Sequence, residues 1–265
     1  MYRTAKVYLS SSSNSDKSKE YHMQKISQKH LKWIKSLHLK KNRDKEQSFI
    51  VEGIKICDEV LENYAHRIQY VVCSNDYSHE LPKNLESIIL TASPNELSRI
   101  STLKTPNSIL IVLKKDHQIS FNPSEKVILL DDIQDPGNLG TLIRTADWFG
   151  ISQFVCSKKT ADLFNAKALQ STMGSFLRVK IWYVELDSFI KEYSLNIGGA
   201  LLDGTVFEYE DLSQMNALLL GNESRGISDS MRTHINMPIR IDGKGSAESL
   251  NVAIAGAIFM QHWSK

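Results

Sequence analysis

The stretch VILLDDIQDPGNLGTLIRTADWFG, residues 127–150, decides the fold class of this chain. It begins with an apolar run, continues into a turn that contains Pro136, Gly137, Asn138 and Gly140, and ends in an amphipathic segment. An apolar strand without alternation is typical of a parallel sheet whose two faces are both covered by helices. The order of strand, glycine-rich turn and helix therefore predicts an α/β domain.

The rest of the second half repeats this alternation. Further strands are predicted at residues 153–157, 179–185, 198–203, 217–221 and 236–241, and helices at 139–150, 163–177, 187–194 and about 247–263. We predict from this pattern a C-terminal domain over residues 126–265 with a mostly parallel sheet.

The first half predicts a smaller α/β unit. Strands are expected at residues 47–53, 68–75 and 108–115, and helices at 25–40, 53–64 and 93–101. We assign residues 23–113 to this N-terminal domain and residues 114–125, which carry a proline and no periodicity, to a linker. Residues 1–22 lack the apolar core of a secretion signal, and their acidic residues argue against a transit peptide, so we expect a disordered tail.

The composition limits the classes of protein to which this chain can belong. The chain is 42% hydrophobic and 23% charged, close to the average for soluble proteins, and no apolar run approaches the roughly 18 residues that span a membrane. The three cysteines lie far apart in the sequence and form no CxxC pattern or Cys/His ligand spacing, so we expect reduced, buried thiols in a cytoplasmic protein and no metal site.

A basic stretch marks the N-terminal domain. Residues 17–45 hold 10 basic and 2 acidic side chains, and apolar residues are interleaved at helical spacing. Such a helix either binds along a phosphate backbone or only exposes its charged side chains to solvent. Charge alone does not distinguish these two interpretations. The candidate phosphate contacts are Lys29, Lys32, Lys35, Lys40, Lys41 and Arg43.

Three turns in the second half could carry chemistry, because ligands collect where parallel strands end. They follow the predicted strands that end near Ile133, Leu220 and Ile241, and each combines glycine with Asn, Glu or Ser. Helix capping alone explains any one of them. The sequence contains no GxxxxGK[ST], no complete GxGxxG and no GxSxG, which argues against a P-loop enzyme, a dinucleotide-binding fold and a serine hydrolase.

Arg144 lies six residues after Asn138 in the first of these regions. It is able to pair with Asp147 three residues further along the predicted helix, as many surface arginines do. An arginine near a glycine-lined turn is equally suited to anchor a phosphate.

Together the three turns resemble the motif set of the SpoU/TrmH family of RNA ribose 2′-O-methyltransferases, in the SPOUT class. The matching segments are DPGNLGTLIRTADWFG (135–150), ALLLGNESRGIS (217–228) and GSAESLNVAIAGAI (245–258), in the family's order. STMGSFLRV (171–179) is similar to a further family segment, and residues 30–61 resemble the start of the family's substrate-binding domain.

The resemblance implies a parallel sheet with a deep trefoil knot, an exception to the rule that chains are unknotted. It also implies S-adenosylmethionine bound in the knot, and a homodimer with the site near the interface. Carried over by motif, the catalytic residues are Asn138, Arg144, Glu223, Ser249 and Asn251, and the cofactor contacts are Leu220, Gly221, Met237, Ile239 and Leu250. The usual Ile-Pro-Met is here MPIRIDGKGS, which leaves open whether Met237 or Ile239 contacts the cofactor.

The implied function is methyl transfer from S-adenosylmethionine to a ribose 2′-hydroxyl, the group that distinguishes RNA from DNA. Because a guanidinium keeps its proton at neutral pH, we assign Arg144 to phosphate binding and alkoxide stabilisation, not to proton removal. The separate N-terminal domain favours ribosomal RNA. The alternatives are a transfer RNA substrate, a base-methylating SPOUT enzyme, and an inactive RNA-binding assembly factor on the same fold.

Overall fold

The computed structural model describes residues 24–78, 81–116, 120–207 and 212–264, which form two β-sheets with helices packed on them. The predicted disordered tail, residues 1–22, lies outside the described residues.

The N-terminal sheet has five strands in the order β1-β4-β3-β5-β2. Strands β1, β4 and β3 run parallel to one another, whereas β5 is antiparallel to both β3 and β2. The strands are β1 (Gln24–Lys25), β2 (Ser48–Glu52), β3 (Ile68–Cys73), β4 (Ile89–Thr91) and β5 (Ile109–Lys114). The helices are α1 (Gln28–Ser36), α2 (Lys40–Glu46), α3 (Ile54–Asn63), α4 (Asn75–Ser78) and α5 (Pro94–Ile100).

The C-terminal sheet has six strands, all parallel, in the order β11-β9-β10-β6-β7-β8. The strands are β6 (Val127–Leu130), β7 (Gln153–Ser157), β8 (Lys180–Val184), β9 (Ile197–Val206), β10 (Ala217–Leu220) and β11 (Met237–Arg240). The helices are α6 (Pro136–Trp148), α7 (Ala166–Thr172), α8 (Leu186–Tyr193), α9 (Asp229–Arg232) and α10 (Val252–Trp263). The predicted fold class, with a parallel sheet in the second half, is confirmed.

The strand order places two of the motif turns side by side. From β6 the chain moves outward to β7 and β8, returns to β9, and then inserts β10 between β9 and β6. Strands β6 and β10 are therefore neighbours whose connections leave in opposite directions, which is the topological switch point where α/β sheets bind ligands.

Apolar packing covers both faces of the C-terminal sheet. Side chains of α6 and α10 pack with Ile128 and Leu130 on one face, whereas α8 packs with Val127 and Leu129 on the other. All residues of β6 and β10 are buried, as their apolar runs without alternation predict.

The predicted basic helix over residues 25–40 is interrupted. Helix α1 ends at Ser36, and α2 begins at Lys40. The guanidinium of Arg43 donates hydrogen bonds to the carbonyls of Leu37 (3.0 Å) and His38 (2.8 Å), and Asn42 donates to the carbonyl of Ser36 (2.8 Å). These side chains satisfy carbonyls that a continuing helix would have bonded, so they favour the break.

Two other helices differ from the prediction. The last helix begins at Val252, not at residue 247, because the Asn251 side chain caps it by accepting from the amides of Ala253 (2.9 Å) and Ile254 (3.4 Å). The helix predicted over 163–177 ends at Thr172, since Met173 (φ 49°) and Gly174 (φ 96°) turn the chain into the left-handed region.

The two sheets are joined by direct contacts. Phe49 of β2 stacks against Phe164 with ring centroids 4.5 Å apart, and Arg43 forms a buried ion pair with Asp162 at 2.7 Å. Phe121, within the segment predicted as a linker, packs on Trp182 and Phe189 of the C-terminal unit. Apolar packing therefore continues from one sheet to the other.

The predicted buried, unpaired thiols are confirmed, since Cys57, Cys73 and Cys156 are all buried and free. Burial raises the pKa of Cys73 to about 11, so the thiol stays protonated at neutral pH. Within the described ranges, no helix combines the length and the apolar character that crossing a membrane requires.

Candidate active site

The first motif turn forms the N-terminus of helix α6. Asp135 is the N-cap, and its carboxylate accepts a hydrogen bond from the amide of Asn138 at 2.9 Å, while Pro136 occupies the first turn. Lys167 of α7 binds the same carboxylate at 2.5 Å. This hydrogen bond from Lys167 lowers the pKa of Asp135 below its ordinary value, which keeps the cap ionised.

A chain of hydrogen bonds joins one residue from each of the three motifs. The side-chain amide nitrogen of Asn138 donates to Glu223 Oε1 at 3.0 Å. The side-chain amide nitrogen of Asn251 in turn donates to Asn138 Oδ1 at 3.1 Å. The second carboxylate oxygen of Glu223 accepts from the amide of Gln134 at 3.5 Å. Asn138 is thus oriented from both sides, by a carboxylate from the β10 turn and by the cap of α10.

The second motif turn is held by Asn222, a residue that the sequence reasoning did not single out. Its side chain is buried, donates to the carbonyl of Asp132 at 2.8 Å, and accepts from the amides of Ser224 (3.0 Å) and Arg225 (3.2 Å). The sequence does contain a signal for this role. An asparagine directly before the motif glutamate is typical of a side chain that hydrogen-bonds to the backbone of its own turn.

Gly221 lies where the β10 turn passes closest to the following chain. A Cβ atom at this position would lie 2.2 Å from the amide nitrogen of Ile227 and 2.3 Å from the carbonyl carbon of Gly226. Glycine is therefore required here by the close approach of two backbone segments.

Arg144 and Ser249 do not take part in the hydrogen bonds that link Glu223, Asn138 and Asn251. Six residues along α6 correspond to a rise of about 9 Å and to nearly two turns, so Arg144 lies away from Asn138. It is exposed and, among the residues that the structure describes, forms no hydrogen bond or ion pair. Ser249 is likewise exposed, with no hydrogen-bond partner in the described chain.

The five predicted cofactor residues fall into two groups. Leu220 and Ile239 are each 1% exposed and belong to the core, so their side chains are not accessible, and the Leu220 carbonyl already accepts from the amide of Asp131 at 2.9 Å. Gly221 is also buried, Met237 is half-buried, and Leu250 is 48% exposed.

The segment 242–250 leads from β11 towards the cap of α10. All of its residues are exposed, and none of them hydrogen-bonds to another part of the described structure. Its backbone amides and carbonyls, together with the apolar side chain of Leu250, are available to contact a ligand that has a flat aromatic ring and several hydrogen-bonding groups. S-adenosylmethionine, with its adenine ring, is such a ligand.

The predicted phosphate contacts of the N-terminal unit differ in their exposure to solvent. Lys29, Lys32, Lys35, Lys40 and Lys41 are all exposed on α1 and α2. The prediction for Arg43 is wrong, because its side chain is buried and its guanidinium is occupied by Asp162 and by two backbone carbonyls. Arg43 is therefore a structural residue at the junction of the two sheets.

The arrangement is suited to positioning and hydrogen bonding. Asn138, Glu223 and Asn251 provide a carboxylate and two amides, with no histidine or cysteine in the chain of contacts. Such groups can orient a hydroxyl and its neighbours by hydrogen bonding. No group of three or more His, Cys, Asp or Glu able to hold a metal ion occurs within the described residues.

Two family models match this chain. Residues 125–261 match the model of the SpoU rRNA Methylase family, and residues 28–111 match an MRM3-like substrate binding domain. The chain belongs to the SpoU rRNA methylase family. The three motifs whose residues meet at the switch point all lie within the matched region.

Relatives within the SpoU family cover nearly the whole chain. The 23S rRNA (guanosine(2553)-2′-O)-methyltransferase RlmP of Bacillus subtilis is 34% identical over 234 residues, which is 86% of this chain and 93% of the relative. A solved structure of a TrmH-family RNA methyltransferase from Porphyromonas gingivalis is 32% identical with a TM-score of 0.79, covering 90% of this chain and 98% of that one. An AdoMet-bound rRNA methyltransferase from Sinorhizobium meliloti is 27% identical with a TM-score of 0.79, covering 91% and 95%.

These matches confirm the family, the SpoU-type α/β fold and the predicted enzyme class, an RNA 2′-O-methyltransferase that uses S-adenosylmethionine.

Proposed function

We propose that this enzyme transfers the methyl group of S-adenosylmethionine to a ribose 2′-hydroxyl of large-subunit ribosomal RNA. The observation that carries the proposal is the hydrogen-bonded chain of Glu223, Asn138 and Asn251 at the switch point of a SpoU-family sheet. An inactive RNA-binding protein would have no need to hold these three side chains in mutual contact.

The similarity to RlmP favours ribosomal over transfer RNA. RlmP, with which this chain shares most of its length, is named for the 2′-oxygen of a 23S rRNA guanosine. The N-terminal residues 28–111 match a substrate-binding domain, which agrees with a division into an RNA-binding unit at 23–113, a linker at 114–125 and a catalytic unit at 126–265.

In the proposed site, the exposed segment 242–250, Leu250, Met237 and the turn at Gly221 hold S-adenosylmethionine. When bound, the cofactor would supply an electrophilic methyl group, with S-adenosylhomocysteine as the leaving group and the 2′-hydroxyl proton released to solvent. The close packing of the Gly221 turn against Gly226 and Ile227 keeps this part of the proposed cofactor site rigid. A rigid site helps to align the methyl group of the cofactor with the ribose hydroxyl.

The polar residues then act on the ribose. Asn138 and Asn251, fixed by their mutual hydrogen bond, orient the sugar, and Glu223 is the nearby carboxylate that accepts hydrogen bonds. Arg144, which is exposed and has no ion-pair partner among the described residues, binds the phosphate of the target nucleotide and stabilises the developing alkoxide. We place Ser249 beside the cofactor on the exposed segment.

We extend the proposal to a homodimer and to the trefoil knot of the family. Exposed apolar side chains lie on two helices that pack together, with Trp148 (84% exposed) on α6 and Ile254 (52%) on α10, and Leu250 lies four residues before Ile254. A dimer that buries this face covers apolar surface and includes Arg144 in its surroundings. A ribosomal RNA substrate also favours a cytoplasmic location.

The substrate assignment is tested by incubating the enzyme with labelled S-adenosylmethionine and unmodified 23S rRNA, 16S rRNA or transfer RNA in separate reactions. We expect label only in 23S rRNA, recovered as a 2′-O-methylnucleoside after complete digestion. Label in transfer RNA, or label on a base, contradicts the proposal.

The role of the lysines is tested by the triple variant Lys29→Ala, Lys32→Ala, Lys35→Ala. Since each phosphate contact releases counterions, we expect RNA affinity to fall about tenfold and the logarithmic salt dependence to lose about 2 units of slope. Lys191→Ala, on α8 in the other unit, is the matched control and leaves both unchanged. An unchanged salt slope in the triple variant would assign the lysines to solubility.

A further inference from the structure

Arg178 lies in the segment 171–179 and touches both units of the chain. Its Nε and Nη2 donate to the carboxylate of Asp147 at 3.0 and 2.8 Å, and its Nη1 donates to Glu59 of α3. Nε also approaches the other Asp147 oxygen at 3.1 Å, so both oxygens of Asp147 are occupied by this one guanidinium.

Asp147 has a second possible partner. It lies on α6 three residues after Arg144, a spacing at which opposite charges on a helix attract each other. In the structure Asp147 bonds to Arg178, and the described part of the chain provides no ion pair for Arg144. Within the described residues, Arg144, the cation that the proposed mechanism needs, is therefore the one without an ion-pair partner.

We propose that Arg178 is a positioning residue that keeps Arg144 free for RNA by holding Asp147. The proposal rests on the function proposed for Arg144. Arg178 acts through Asp147 and touches neither substrate nor cofactor.

The electrostatics of the pair agree with this assignment. Partial burial of Asp147 would raise its pKa, but the hydrogen bonds from Arg178 and Ser175 outweigh burial and lower it. Asp147 is thus a stable carboxylate, with its side chain 21% exposed. Without Arg178, this partly buried charge would have Arg144 as the cation on its own helix, and pairing with it would compete with RNA phosphate.

The test compares Arg178→Gln with the double variant Arg178→Gln, Asp147→Asn. We expect kcat/KM for RNA to fall about threefold in the single variant, the scale of one partly exposed helix ion pair. In the double variant no carboxylate remains to capture Arg144, so kcat/KM should return to the wild-type value. Asp147→Asn alone should match wild type, and Glu59→Gln, which removes only the contact to α3, is the control for the link between the two units.

A purely structural role for Arg178 predicts a different result, in which Arg178→Gln loses activity while the Arg144 guanidinium stays more than 4 Å from Asp147, because the loss would then come from the missing links to Asp147 and Glu59. That result, or an unchanged kcat/KM in Arg178→Gln, overturns the proposal. A crystal structure of Arg178→Gln gives a readout independent of activity, with the Arg144 guanidinium expected within 4 Å of Asp147. Failure of the proposed function is distinguished by the wild-type enzyme, which would then methylate no RNA.

Discussion

The variant Arg144→Ala is expected to lose methyl transfer while keeping its cofactor. Arg144 is exposed, forms no ion pair within the described chain, and follows the Asn138 turn on the same helix. Removing a cation that stabilises a developing oxyanion costs about 100-fold to 1,000-fold in rate, so we expect kcat/KM to fall by at least about 100-fold. Single-turnover transfer from labelled S-adenosylmethionine to 23S rRNA measures this loss.

Cofactor binding and a matched surface cation separate the possible causes. The dissociation constant for S-adenosylmethionine, measured by calorimetry, should stay within about twofold of wild type, because Arg144 lies nearly two turns from the Asn138 end of α6. Lys191→Ala, a helix-surface cation on the opposite face of the sheet, should retain full activity. Loss of cofactor affinity in Arg144→Ala would assign the arginine to the cofactor site, and retained transfer would remove it from the mechanism.

The variant Gly221→Ala is expected to damage the cofactor site and the fold together. The added methyl group would lie 2.2 Å from the Ile227 amide nitrogen and 2.5 Å from the Gly226 carbonyl oxygen, and these are backbone atoms that have no rotamer to change. Overpacking of this kind costs about 1–3 kcal/mol, which lowers the Tm by several degrees in a chain of this size. Because the turn must move, we also expect at least a tenfold loss of S-adenosylmethionine affinity, on the order of 1.4 kcal/mol.

Gly243→Ala is the control for the stability measurement. Apart from Gly243 and its two chain neighbours, no described residue has an atom within 4 Å of a Cβ at position 243, so the Tm should change by no more than the equivalent of about 1 kcal/mol. Thermal unfolding and calorimetric titration of both variants check the two expectations. Wild-type cofactor affinity in Gly221→Ala would place the cofactor away from the β10 turn.

Local sequence patterns were sufficient for the fold class, and they supplied the residues that we propose for the site. Apolar runs without alternation predicted the buried parallel strands β6 and β10, and the glycine-rich turns after them supplied Asn138 and Glu223. The helix predicted at residues 93–101 is also confirmed as α5, and Ser93 and Glu96 form a capping box at its start. These features depend on residues a few positions apart, which the sequence shows directly.

Tertiary structure decided which polar groups meet. Asn138 bonds to residues 85 and 113 positions away because β10 is inserted beside β6, a topology that no local pattern encodes. The basic stretch predicted Arg43 as an RNA contact, yet folding buries it against Asp162, 119 positions along the chain.

Asp147 illustrates the same division between sequence and structure. The sequence allowed a pair with Arg144 on its own helix, but Arg178, 31 positions away, presents two donor groups to it. The sequence thus determined which charges and hydrogen-bonding groups exist and which local elements carry them. Only the tertiary structure decided their partners, because hydrogen bonds and ion pairs depend on distances of about 3 Å that the packing of strands and helices sets.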